Sequence, residues 1–253
     1  MVETLAETAA WFREQYPLTP ASAICALEDW KGEGRQSVWY YSRHYRINFY
    51  CKDGHLRIRD MHLYDETYAE RYLRDICATK ECCYDTLPVV DGARWNDDRT
   101  EAGIVPFFFA ADGSIIPVVV ETLRVDESVP GELTVVLAWQ GGGSLTFHCV
   151  EDRIAVHSDR PDWGLRMIWG ETSGQPLMQI DGNRVRFVFN GHPYSIGFES
   201  ISELSRELTV QRDRGGRIDD IEHGPSKAIM FRPLDRELRI LLQQEGIAIK
   251  GEG

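Results

Sequence analysis

Residues 178–198 read MQIDGNRVRFVFNGHPYSIGF, three runs of strand-forming residues separated by Asp181-Gly182 and Asn190-Gly191. Aspartate or asparagine followed by glycine tolerates the positive φ angles of a two-residue type I′ turn, so each dipeptide is a hairpin signal. Pairing across both turns predicts a three-stranded antiparallel meander. Val185, Phe187, Phe189, Tyr194, Ile196 and Phe198 then fall on one face, with Arg184, Arg186, Ser195 and Gly197 on the other. One oily side and one wet side mark a sheet that covers a core.

Upstream, residues 37–64 (SVWYYSRHYRINFYCKDGHLRIRDMHLY) repeat the pattern around Asp53-Gly54. Folding there pairs Cys51 with Leu56, Phe49 with Ile58 and Ile47 with Asp60. Arg46, Asn48, Tyr50, Arg57 and Arg59 stay on the solvated face. In that register Asp60 and His62 fall on the apolar face. The segments VPFFFA and SIIPVVVETLRV around Asp112-Gly113 predict a hairpin apolar on both faces, with Pro117 at a bulge or an edge because it cannot donate to a ladder. ELTVVLAWQ, LTFHCVE, RIAVHSD, LRMIWG, SRELTVQRDR and SKAIMFRP add further strands, about a dozen in all at a spacing of roughly eight to twelve residues.

Helices are expected early. Glu3 to Tyr16 has helical spacing and is stopped by Pro17; Thr19-Pro20 looks like a cap that starts a second helix through Trp30; Asp65 to Ala78 predicts a third. TLPVVDGARWNDDRTEAG (86–103) is expected to be a long polar loop, and the tail from Asp235 suits a helix or two strands. The expected fold is mainly β, a large antiparallel β-sandwich of two packed sheets with meander hairpins. It forms a single domain over 1–253, with 1–100 as a helical and hairpin lead-in packed on it. In outline it resembles the mutarotase-like sandwiches, at the level of fold alone.

A formal charge of −12 argues against nucleic acid or an anionic membrane as partner. No run reaches the roughly 18 apolar residues of a membrane helix. The start lacks a basic and then apolar signal, so the six cysteines are expected as reduced thiols in the cytoplasm. Cys77, Cys82 and Cys83 match no zinc spacing. GxSxG, HExxH, Walker A and dinucleotide fingerprints are missing too.

Four constellations remain. Asp60 and His62, two apart on a strand, point the same way and suit acid–base chemistry. His148 and His157 become diagonal neighbours, roughly 7 Å apart, if Glu151-Asp152 is a two-residue turn; with Glu121 or Glu171 they would hold a divalent metal. His192 and Tyr194 sit at the rim of the oily face, and Glu199 leaves from the other side. Trp95 beside Asp97, and Trp163 after DRPD, join flat rings to carboxylates, a pairing suited to sugars. The expected function is a cytoplasmic sugar-processing enzyme with Asp60, His62 and His192 in acid–base roles, and Trp95, Asp97, Trp163 and Tyr194 holding the sugar. The alternative is a non-catalytic sugar-binding or accessory subunit, for which exposed rows such as Trp39 and Tyr41 would serve, as they would in a homo-oligomer.

Overall fold

Hairpin turns, rather than helices, set the course of the chain. The computed structural model describes residues 4–68, 76, 78, 86–98, 100–139, 142–170, 174–207 and 228–242. It opens with α1 (Leu5–Gln15), β1 (Ser22–Ala26), β2 (Arg35–Tyr41), β3 (Tyr45–Lys52), β4 (His55–Leu63) and β5 (Leu87–Asp91). There follow β6 (Gly103–Phe109), β7 (Ile115–Pro117), β8 (Val120–Asp126), β9 (Leu133–Trp139), β10 (Ser144–Val150), β11 (Arg153–Ser158) and β12 (Trp163–Ile168). The last are β13 (Leu177–Asp181), β14 (Arg184–Phe189), β15 (His192–Glu199), β16 (Ile201–Glu207), β17 (Ala228–Pro233) and β18 (Glu237–Leu241).

These strands form two antiparallel sheets, a β-sandwich as expected. Sheet A runs β1-β2-β3-β4-β6-β12-β17-β16, with β5 beside β4 and β7 beside β6. Sheet B runs β13-β14-β15-β18-β11-β10-β9-β8. Phe49 of sheet A lies 5.1 Å from Phe147 of sheet B, and Phe231 lies 4.7 Å from Phe198. Each such buried side chain contributes about 1.5–3 kcal/mol. Two tyrosines stitch the layers with polar tips: Tyr45 Oη donates to the Val150 carbonyl at 2.9 Å, and Tyr194 Oη to that of Pro88 at 2.5 Å. Among the described residues no helix is long and apolar enough to cross a membrane.

The turns behave as their chemistry requires. Asp53-Gly54 and Asn190-Gly191 carry φ angles of 50° and 78°, and of 50° and 80°, closing two-residue loops. The β13–β14 turn is shifted by one residue: Asp181 pairs with Arg184, so Gly182-Asn183 forms the loop and only Gly182 has positive φ. Asn183 instead donates its side-chain amide to the Phe198 carbonyl at 2.7 Å.

Several expectations are corrected. Thr19-Pro20 starts no helix; β1 pairs with β2, because an edge partner for a sheet outweighs local capping signals. Leu87–Asp91 is a buried strand beside β4 instead of a polar loop. The hairpin around Asp112-Gly113 is not covered on both faces: β7 is exposed throughout, an edge ended by Pro117, and the chain then crosses to sheet B as β8. α1 is the short helical lead-in expected, although it buries no residue, while β1 to β4 belong to sheet A itself. The tail forms a strand, β18, between β15 and β11. The helix expected over Asp65 to Ala78 lies mostly outside the described residues; Asp65 itself accepts from the Thr67 amide and hydroxyl in a turn.

Candidate functional site

The β3–β4 hairpin pairs Cys51 with Leu56 and Phe49 with Ile58, as its turn dictates, and then shifts register. Arg59 is an extra residue on β4, a β-bulge, so Asn48 faces Asp60, Ile47 faces Met61 and Arg46 faces His62. The expected Ile47–Asp60 pair is therefore corrected. Met61 takes the core position, and Asp60 and His62 turn to the outer face of sheet A. Burying Met61 in place of a carboxylate is the energetically cheaper arrangement. The apolar spacing of β4 records the shift: Leu56 and Ile58 are two apart, Ile58 and Met61 three, Met61 and Leu63 two again.

Register then assembles the site from two rows. Tyr41, Arg46 and His62 lie side by side across β2, β3 and β4; Trp39, Asn48, Asp60 and Asp91 lie side by side across β2 to β5. Arg46 Nε donates to Asp60 Oδ1 at 2.8 Å and Nη2 to Oδ2 at 3.0 Å, a bidentate pair whose side chains are 16% and 14% exposed. His62, 2% exposed, shares a hydrogen bond of 2.8 Å between its Nδ1 and Thr86 Oγ1. Its Nε2 faces Asp60 Oδ2 at 3.5 Å and Asp91 Oδ2 at 3.8 Å. Asp91 is oriented by amide donors, from Ala93 at 3.0 Å and Arg94 at 3.1 Å to its Oδ1.

Burial pushes the Asp60 carboxyl above the ordinary carboxylate range, against the pull of Arg46. Burial also drives His62 well below its usual value, helped by the charges of Arg46 and Arg94. Near neutral pH the imidazole is uncharged and a weaker base than an exposed one, beside a carboxyl that gives up its proton less readily than usual. A cavity of about 20 Å³ opens beside them, lined by His62, Thr86, Asp91, Arg94, Trp95 and Phe189 among others. That volume fits one water molecule.

Of the other expected site residues, His192 is not drawn to this centre. Its Nε2 meets Asp65 Oδ2 at 3.0 Å, and its ring lies 5.0 Å from that of Tyr68, although Phe189 across the hairpin lines the cavity. Tyr194 is a core residue, stacked on Phe187 at 5.0 Å with its hydroxyl committed to Pro88. Trp163 is 1% exposed, its indole Nε1 donating to the Asp235 carbonyl at 3.2 Å, and Trp95 is buried. Neither offers an open ring face for a sugar, because both serve the core. Asp97 holds a loop, accepting from the Thr100 amide at 2.7 Å.

His148 pairs with Ala155 and His157 with Thr146, the register that Glu151-Asp152 predicts. His148 is engaged by Glu132 at 2.7 Å rather than by Glu121, and Glu171 lies outside the described residues. Among the described residues no three His, Cys, Asp or Glu side chains gather as a metal set. Arg46, Thr86, Asp91 and Arg94 were not expected at a site; a count of apolar phase along β4 would have brought out Arg46 by register. No family model matches this sequence, and no curated protein matches it, so the geometry alone carries the functional argument.

Proposed function

We propose that this protein is a cytoplasmic carbohydrate-active protein that performs acid–base chemistry at Asp60 and His62, on the outer face of sheet A. The observation that carries this is the convergence of Asp60 and Asp91 on His62, with His62 and Asp91 lining a cavity beside Trp95 and Arg46 clamping Asp60. Because the cavity admits only a water or a single hydroxyl, the saccharide lies across the sheet face, along the row of Trp39 and Tyr41. Asp60 and His62, 3.5 Å apart, would relay a proton to and from a hydroxyl or ring oxygen of the sugar through a water in the cavity.

A second reading, a non-catalytic sugar-binding module on the same face, is favoured by the Trp39–Tyr41 stack, whose rings are 5.6 Å apart and 14° from parallel. One experiment separates the two. A thermal-shift panel of neutral and acidic saccharides identifies a ligand, since any molecule that binds the folded state raises Tm. NMR-detected turnover of the hits then compares wild type with Asp60→Asn and His62→Gln. The enzyme reading expects binding retained and turnover down about a hundredfold or more. A hit without turnover in the wild type supports the binding module, and a panel with no hit overturns both.

A further inference from the structure

Beside Asp60, on the same outer face, two arginines share one tyrosine. The Arg59 guanidinium lies 4.5 Å from the centre of the Tyr50 ring and that of Arg57 lies 6.0 Å from it. Glycines make room for their stems. A Cβ on Gly92 would come within 2.7 Å of Arg59 Cγ, and one on Gly103 would strike Arg57 Cγ, so both arginines lie flat across the neighbouring strands. The counter-charge here is sparse. Arg57 Nη1 meets the exposed Glu101 at 3.3 Å and is buried without a hydrogen bond, while Arg59 has no ion pair among the described residues. Asp60 next to it is already held by Arg46. On a chain of formal charge −12, two like-charged guanidiniums packed on one ring form a local patch of the opposite sign. Burial holds the Arg57 pKa below its usual value, and the charge of Arg59 acts in the same direction against Glu101.

We infer that Arg57, Arg59 and Tyr50 form an anion subsite, and that the saccharide acted on at Asp60 is an acidic one, bearing a carboxylate or a sulfate. Arg59 presents its planar fork to the anion, with Tyr50 and Arg57 fixing its orientation; the neighbouring sugar unit then extends over Asp60. This assignment rests on the proposed carbohydrate site, and its test keeps the two apart.

Calorimetric titrations would compare a galacturonate trimer, a sulfated galactose trimer, the neutral galactose trimer and inorganic sulfate. The expected result is binding of an acidic trimer at least tenfold tighter than the neutral one. It should weaken on raising salt from low ionic strength to about 0.5 M, where exposed charges are screened. Arg59→Gln should weaken the acidic trimer about tenfold or more and leave the neutral one unchanged, with Arg59→Lys intermediate because it keeps the charge and loses the fork. Unchanged circular dichroism and Tm would establish that these variants fold, and the salt dependence of the wild type stands without them. Equal binding of neutral and acidic trimers would overturn the anion subsite while leaving the carbohydrate site in place. Sulfate binding lost in Arg59→Gln, with no trimer bound, would support the anion subsite and overturn the carbohydrate reading.

Discussion

Protonating His62 adds charge to a ring that burial, Arg46 and Arg94 all penalise. Its folded pKa lies below the unfolded value of about 6.5, so the unfolded chain takes up the proton first as pH falls. The stability due to His62 is complete above that range and is lost on the acid side, at a slope approaching about 1.4 kcal/mol per pH unit. Asp60 has the opposite sign. Its folded pKa is raised, so its contribution is present at acid pH and lost as pH rises through the folded value, which separates the two effects. Urea unfolding between pH 7 and pH 5 should therefore show a shallower loss of stability in His62→Gln than in wild type. Equal slopes would mean that His62 is protonated as readily folded as unfolded.

The bulge at Arg59 belongs to the scale of the element. Removing Arg59 restores strict alternation along β4 while keeping Asp60 opposite Asn48 and Met61 opposite Ile47. Its deletion should cost no more than about 2 kcal/mol, measured by urea midpoint. Deleting Met61 instead forces Asp60 to face Ile47 inside the core and should cost at least about 3 kcal/mol. Similar costs for the two deletions would show that the bulge does not set the facing of Asp60. The same element shows what was legible in the chain. Asp53-Gly54 fixed where the hairpin turns, because two positive φ angles leave few other solutions. The facing of Asp60 was also recorded, in the three-residue step from Ile58 to Met61, but is lost when alternation is carried straight through the strand. The partners Asp91 and Thr86 were not legible: β5 lies far along the chain, its Pro88 and the following Gly92 read as loop, and only the sheet brings it beside β4.

At the scale of the molecule, α1 stands apart. A reciprocal capping box between Thr4 and Glu7 stabilises it locally, yet none of its side chains is buried. Removing residues 1–16 should leave Tm within about 2 °C of the full chain by calorimetry, because stability follows burial. A larger drop would show that α1 contributes to the fold. β18 is the converse case. Among the described residues it alone joins β15 to β11, so without it the described strands of sheet B fall into two halves, β13-β14-β15 and β11-β10-β9-β8. A chain emerging from the ribosome holds both halves long before Glu237 arrives. Until then the edges of β15 and β11 that β18 pairs with have no partner from it, so closing sheet B waits on that segment.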